Sequence, residues 1–365
     1  MKLVRLLPLL LMLTVLSMGC SDDSLGPTGD NNNTNPAITT TDNGDGTFTT
    51  VVDAGYLDAD HYVYLSFATG EETTPDTPEN SADWDMAFKF ANILVNGGAN
   101  GTGGVGIVAY DDAGFAALTA APNAVYLTDS GEDDPGQCFN TGQGWYTYSG
   151  PPDHDFSINA DRYYVLRLTD GSYIKFQMTA FVDGAGTPGY PTFTWAPIAG
   201  DFPVMTAQVG NIEYQTLVAA TSPSAWVYFS FGSGLEATPA NPADSDEYDL
   251  AFSYASVALN GGANGTGGVE VMAMDDAGYD ALTQAPAGSY ATDGASDLAF
   301  DVAGGWYTYS GPPDHIFSIN PDRYYVVHAV DGNYYKLRMT TFRNPAGDAG
   351  YPGFEWDMVD PPLQP

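Results

Sequence analysis

Three stretches of this sequence occur twice, in the same order. The run 96–105, Asn-Gly-Gly-Ala-Asn-Gly-Thr-Gly-Gly-Val, returns letter for letter at 260–269. The run 144–154, from Gly144-Trp145-Tyr146-Thr147-Tyr148 to Pro151-Pro152-Asp153-His154, returns at 305–315, and 161–165 returns at 322–326. Spacing between the copies differs by only three residues. A repeat of this length is a whole domain, since solenoid units are far shorter. The chain must therefore fold as one architecture built twice.

Each copy reads as β structure. The segments 62–67 and 226–231 are rich in aromatic and β-branched residues and are bounded by Gly and polar residues. Residues 163–168 and 173–181 flank Asp170-Gly171, which predicts a hairpin with a two-residue turn; 324–330 and 334–342 flank Asp331-Gly332 in the same way. The helical signal is one short turn per copy, with Asp112 or Asp276 placed to cap it ahead of Phe115 and Leu118, or Tyr279 and Leu282. Many short strands with Gly/Pro turns predict an all-β fold of packed antiparallel sheets with short helical turns. The join between copies is placed near 197–204, giving domains over 46–200 and 204–360.

The first twenty residues read as an export signal. Lys2 and Arg5 precede an apolar run, 6–16, too short to span a bilayer. The sequence Leu16-Ser17-Met18-Gly19-Cys20 resembles a lipobox, in which Cys20 is diacylated and becomes the mature N-terminus; the alternative is an ordinary signal peptide cut near Gly19. Ser21-Asp22-Asp23 resembles the short acidic signal that sends lipoproteins of Bacteroidetes-type bacteria to the outer face of the outer membrane. Residues 21–45, rich in Gly, Pro, Asn, Thr and Asp, read as a flexible tether. The expected location is thus the cell surface, with the membrane reached through the lipid alone.

The formal charge of −36, from 46 acidic and 10 basic residues, excludes nucleic acid and anionic headgroups as natural partners. The Gly-rich run lacks the Lys-Ser/Thr ending of a phosphate loop and leads into no long helix, so it reads as a tight connection between strands. Asp111-Asp112, Asp275-Asp276 and Asp133-Asp134 read as solvated turn acids rather than a glycosidase pair. The tether's 42–46, Asp-Asn-Gly-Asp-Gly, lacks the closing Glu of a calcium loop. No Ser/His/Asp or Cys/His set recurs in both copies, so no catalytic residues and no enzyme activity are expected.

Histidine is scarce: four in the chain, of which only His154 and His315 occupy matching places. Each ends a Ser-Gly-Pro-Pro-Asp-His turn ahead of a strand, where imidazole is available to iron or another metal. The alternative is a His that holds the turn by hydrogen bonding. Tyr148, Tyr309, Trp145 and Trp306 read first as strand packing, and as candidate pocket aromatics second. Cys138 has no partner for a disulfide if Cys20 is lipidated.

Taken together, Trp84-Asp85-Met86-Ala87-Phe88, Asn96-Gly97-Gly98, Gly144-Trp145-Tyr146-Thr147-Tyr148, 162–167 and 170–175 resemble the HmuY family, and the second copy carries Tyr248-Asp249-Leu250-Ala251-Phe252 and the matching later motifs. The resemblance covers both domains. It implies an all-β fold, export as a lipoprotein, and haem held between two axial side chains for haem and iron acquisition, with a TonB-dependent outer-membrane receptor as a partner. In the family's founding member the axial histidines lie on a long insertion before the Gly-Trp strand and just after that strand. Here the stretches from Tyr126 to Gly144 and from Tyr290 to Gly305 are short and hold no His, so at most one ligand per domain is carried over, to His154 and His315. Met178, Met339 and Cys138 are the weaker alternative ligands. A surface binding or adhesion module that keeps the fold without haem is the competing expectation.

Overall fold

The computed structural model describes residues 36–55, 61–131, 136–209 and 213–363. Cys20, the export signal, the tether up to residue 35 and the Asp133-Asp134 pair lie outside the described residues.

The first repeat runs β1 (Ile38–Asp42), β2 (Phe48–Val52), β3 (Val63–Ser66), β4 (Glu71–Thr73), β5 (Met86–Lys89), β6 (Asn92–Val95), β7 (Gly106–Asp111), β8 (Tyr126–Thr128), β9 (Tyr146–Tyr148), β10 (Phe156–Ile158), β11 (Arg162–Arg167), β12 (Tyr173–Val182) and β13 (Pro188–Ile198). The second runs β14 (Val204–Val209), β15 (Glu213–Val218), β16 (Val227–Ser230), β17 (Leu235–Ala237), β18 (Leu250–Ser253), β19 (Ser256–Leu259), β20 (Glu270–Asp275), β21 (Tyr307–Tyr309), β22 (Phe317–Ile319), β23 (Arg323–His328), β24 (Tyr334–Arg343) and β25 (Ala349–Val359). The fold is all-β, and the only helices among the described residues are short 3-10 turns.

Each repeat is a two-layer sandwich. The main layer of the first is β1-β2-β13-β12-β11-β7, and a small sheet, β4-β3-β5-β6, covers it; the second repeats this with β14-β15-β25-β24-β23-β20 and β17-β16-β18-β19. Period-two alternation decides what lies between the layers. Along β13, Phe193 and Trp195 point inward and their neighbours Thr192 and Thr194 do not. Phe67 from the small sheet meets Trp195 edge-on at 5.0 Å, and Phe88 stacks on Phe193 at 5.6 Å. The second repeat places Phe231 on Trp356 at 5.2 Å and Phe252 on Phe354 at 5.5 Å. Strand β11 is buried on both faces: Tyr164 and Leu166 enter this core, while Val165 packs with Ala121, Tyr126 and Tyr173 on the other side.

Four buried carboxylates join the layers through backbone amides. Asp85 accepts from Phe67 N at 2.8 Å and Thr169 N at 2.9 Å; Asp249 accepts from Phe231 N and Val330 N at 2.7 and 2.8 Å. Asp129 takes Val95 N and Cys138 N, and Asp293 takes Leu259 N and Ala299 N. Each amide would otherwise be a buried donor without an acceptor. Burial still outweighs these bonds for Asp249, whose carboxyl is pushed up to about 6.

The two main layers join edge to edge into a 13-stranded sheet. The link is a short parallel pairing of β8 with β14, in register Tyr126↔Ala207, Leu127↔Gln208 and Thr128↔Val209.

Three expectations change. The tether does not reach residue 45: Ile38–Asp42 is already a strand, paired from Ile38↔Val52 to Asp42↔Phe48. The Asp-Gly hairpin has a three-residue loop, because Gly171 N bonds back to Leu168 O at 2.9 Å while Leu168 N bonds Ser172 O at 2.8 Å. Only Gly171, at φ +83°, is left-handed there, so the loop is a turn closed by a glycine bulge. The capped helical turn is a 3-10 turn at Phe115–Ala117 that begins from Gly114, and Asp112 bonds Gly114 N at 2.7 Å instead of capping.

Candidate ligand-binding hairpins

The duplicated Gly-Trp-Tyr-Thr-Tyr run forms one arm of a hairpin, β9 paired with β10 in register Tyr146↔Ile158 to Tyr148↔Phe156. Its tip is closed by Ser149 N to Asp155 O at 3.0 Å, His154 N to Gly150 O at 2.9 Å, and Asp155 N to Ser149 Oγ at 2.8 Å. The Pro151-Pro152 bond inside the tip is cis, and Pro312-Pro313 matches it. The return of the chain requires φ +53° at His154 and +51° at His315, a region that side chains other than Gly seldom occupy.

That backbone turn aims the imidazole across the hairpin. His154 Nδ1 is hydrogen-bonded to Tyr148 Oη, and His315 Nδ1 to Tyr309 Oη. All four residues are exposed; Tyr148 and Tyr309 keep 47% and 46% of their surface. Phe156 braces the pair from beneath, its ring 4.8 Å from both Tyr148 and Phe181; Phe317 lies 4.8 Å from Tyr309 and 4.4 Å from Phe342. Phe90 and Tyr254, left-handed at φ +51° and +52°, close the same clusters. The tip therefore stands on a packed aromatic base, and its Tyr–His pair faces solvent.

The chemistry of the pair follows from its tautomers. When Nδ1–H donates to the phenol oxygen, the Nε2 lone pair is free for a metal, and the tyrosine fixes ring and tautomer together. When the phenol donates to Nδ1 instead, Nε2 carries the proton, so the same contact serves either of the two alternatives read from sequence, a hydrogen-bonded turn or a metal ligand. No group of three or more His, Cys, Asp or Glu is arranged for a metal among the described residues.

Several candidates are removed by burial. Trp145 and Trp306 are core residues, 1% and 0% exposed, packed on Phe181 and Phe342. Alternation after the glycine turns them inward and turns Tyr148 and Tyr309 outward. Met178 and Met339, each 2% exposed, fill the cores. Cys138 is equally buried, and burial beside Asp129 pushes its thiol well up, so it stands as a neutral core thiol. His61 is exposed, and His328 stacks on Tyr334 at 4.5 Å; neither belongs to a hairpin tip.

The Gly-rich run wraps a side chain of its own. Asn96 Nδ2 donates to Ser81 O and Trp84 O, both at 2.8 Å, and Asn96 Oδ1 accepts from Gly103 N at 2.9 Å. A Cβ on Gly101 or Gly103 would lie 2.0 or 2.6 Å from Asn96 atoms, which explains the glycines without a phosphate. Asp111 accepts Arg162 Nη1 through both oxygens at 2.9 Å, and Asp275 pairs with Arg323 at 2.6 Å, so half of each acid pair anchors β11 or β23. Sequence reading passed over one further feature, a cleft between the repeats.

A family model described as HmuY protein matches the chain at residues 58–195 and again at 222–356. No curated protein matches it significantly. Among solved structures, a candidate lipoprotein of Bacteroides fragilis NCTC 9343 is 21% identical, with a TM-score of 0.33, over 46% of this chain and 98% of its own. A candidate HmuY-like haem-binding protein of Bacteroides vulgatus ATCC 8482 is 16% identical (TM-score 0.32) over 44% of this chain and 97% of its own. The apo form of a Tannerella forsythia HmuY analog is likewise 16% identical (TM-score 0.32), over 40% and 96%. The double match spans more than half the chain and falls once on each sandwich: the chain belongs to the HmuY family and carries its domain twice in tandem.

Proposed function

We propose that this protein binds haem or a related porphyrin at its hairpin tips and serves haem or iron acquisition at the cell surface, as a non-catalytic lipoprotein anchored through Cys20. The observation that carries the reading is the duplicated Tyr–His pair, exposed on a braced tip and engaged through Nδ1, with Nε2 as the nitrogen left to a metal in the Nδ1–H tautomer. Porphyrin iron takes neutral imidazole as an axial ligand, and His154 and His315 would each supply one. His154 and His315 would hold the iron of a bound porphyrin through an imidazole nitrogen, with Tyr148 and Tyr309 fixing the ring and offering the neighbouring aromatic surface. A TonB-dependent receptor is the proposed recipient of the cargo.

The test is a haemin titration of the chain lacking residues 1–20, followed by absorbance. The expected result is a Soret shift that the His154→Ala/His315→Ala double variant abolishes. An unshifted spectrum, or one that the double variant leaves unchanged, removes the proposal. A second reading, a surface module without haem, is favoured by the short His-free stretches before each Gly-Trp strand; glycan binding without a Soret shift would select it. For the anchor, Cys20→Ser should release the protein from the membrane fraction.

A further inference from the structure

In a chain with 46 acidic residues and 10 basic ones, a cation without a carboxylate is informative. Three of the arginines have one: Arg162 with Asp111 at 2.9 Å, Arg323 with Asp275 at 2.6 Å and Arg338 with Glu355 at 2.7 Å. Arg167 and Arg343 form no ion pair among the described residues. Arg167 Nε and Nη2 donate to Gly104 O at 3.2 and 3.0 Å, and Arg343 Nη1 donates to Gly347 O at 2.6 Å. Both line one cleft of about 640 Å³ between the repeats.

Two further facts single them out. Both are places where the copies differ: His328 stands opposite Arg167 in the repeat, and Val182 opposite Arg343. One unduplicated arginine from each repeat thus reaches the same cleft, which neither repeat alone would equip. Arg167 is also only 6% exposed, and burial pulls its guanidinium below the usual arginine range. Holding a guanidinium this deep on one carbonyl and the face of Tyr126, 5.5 Å away, costs desolvation that an anion would offset.

The remaining lining sets the class of anion. Tyr173, Phe202, Leu217 and Tyr351 give it apolar and aromatic walls. Asp170, Asp201 and Glu355 also line it; Glu355 is held by Arg338, and Asp170 Oδ1 accepts Ser172 N at 2.8 Å. These acids oppose a compact multivalent anion such as phosphate and leave room for a single charge on an apolar body. We propose that the cleft between the repeats binds a monoanionic organic acid, its charge balanced by the two arginines that line the cleft, Arg167 and Arg343, and its body laid on Tyr173, Phe202 and Tyr351. The site is independent of the haem proposal, since His154 and His315 do not line it.

The experiment uses the chain lacking residues 1–20, with 8-anilinonaphthalene-1-sulfonate as a fluorescent monoanion and dodecanoate and dodecanol as competitors. One probe should bind per chain; dodecanoate should displace it and dodecanol should not. Arg343→Glu, at an exposed position where folding is retained, should weaken the probe at least tenfold, and Arg167→Gln should do the same. His154→Ala/His315→Ala should leave binding unchanged. Absence of probe binding, equal displacement by dodecanol, or an affinity indifferent to Arg343→Glu would each overturn the assignment.

Discussion

Replacing Asn96 by Ala tests whether the Gly-rich run is a structural wrap or a ligand cradle. Asn96 is 0% exposed and its amide makes three hydrogen bonds, to Ser81 O, Trp84 O and Gly103 N. The variant removes all three and leaves the Gly103 amide buried without an acceptor. At about 1 kcal/mol net for each bond, the loss is about 3 kcal/mol. For a domain of this size that lowers Tm by ~10 °C. Asn260→Ala should cost the same, because Asn260 bonds Ser245 O, Tyr248 O and Gly267 N at 2.8, 2.8 and 3.1 Å. Asn96→Asp should be no milder at neutral pH, since it turns a carboxylate oxygen toward two carbonyls. Urea unfolding and thermal melts of the three variants, run beside the haemin and fluorescence titrations, give the answer. A loss below about 1 kcal/mol, or binding abolished with stability intact, would refute the argument and make the run a cradle.

Other consequences are more local. Cys138 should react with a thiol reagent such as DTNB only as fast as the protein opens, and rapid labelling of the native chain would contradict its burial. The Asp249 carboxyl, followed by carbon-13 NMR, should titrate near 6 rather than near 4. Its folded value is raised above the unfolded one, so the native state holds the proton more tightly, and this group's contribution to stability grows as pH falls from 7 toward 4 and fades as pH rises through 6; a midpoint near 4 would show that the amide bonds outweigh burial. His154→Gly should raise stability by about 1 kcal/mol, because glycine takes the left-handed conformation without penalty and an exposed Tyr148 contact returns little. A clear loss in that variant would mean the Tyr–His bond is structural first.

The parts legible in the sequence were those with local signals. The duplication is written in identical letters, and β11 with β12 is marked by aromatic and β-branched runs around Asp-Gly. Strand β1 was hidden because Ile38-Thr39-Thr40-Thr41-Asp42 has the composition of a linker; only its pairing with β2 makes it a strand. For Trp145 the packing reading holds and the secondary pocket reading does not, because alternation states that Trp145 and Tyr146 face opposite ways without stating which way is in. His154 and Tyr148 were named separately, but their contact depends on a left-handed backbone at the histidine, for which the sequence carries no propensity signal. The cleft had no signal at all, since Arg167 and Arg343 are 176 positions apart and line one cleft only because β8 pairs with β14.

That parallel pairing also determines where the molecule stops. Thr40 and Thr50 share a side-chain bond, as do Thr206 and Thr216, so β1 occupies in the first repeat the place of β14 in the second. Ala291, bridged to Val271, likewise stands where Leu127 stands beside Ile107. The sheet of the described residues therefore presents two open edges of the same kinds that meet at its middle, where a head-to-tail addition would continue it. The side chains oppose it. At the middle junction Tyr126, Leu127 and Thr128 pair with Ala207, Gln208 and Val209; on the open edge of β1 the residues matching 207–209 are Thr41, Asp42 and Asn43. An incoming edge would have to bury a carboxylate and a row of hydroxyl and amide groups against a strand that offers them nothing in return. Polar side chains along that edge therefore disfavour head-to-tail growth of the sheet.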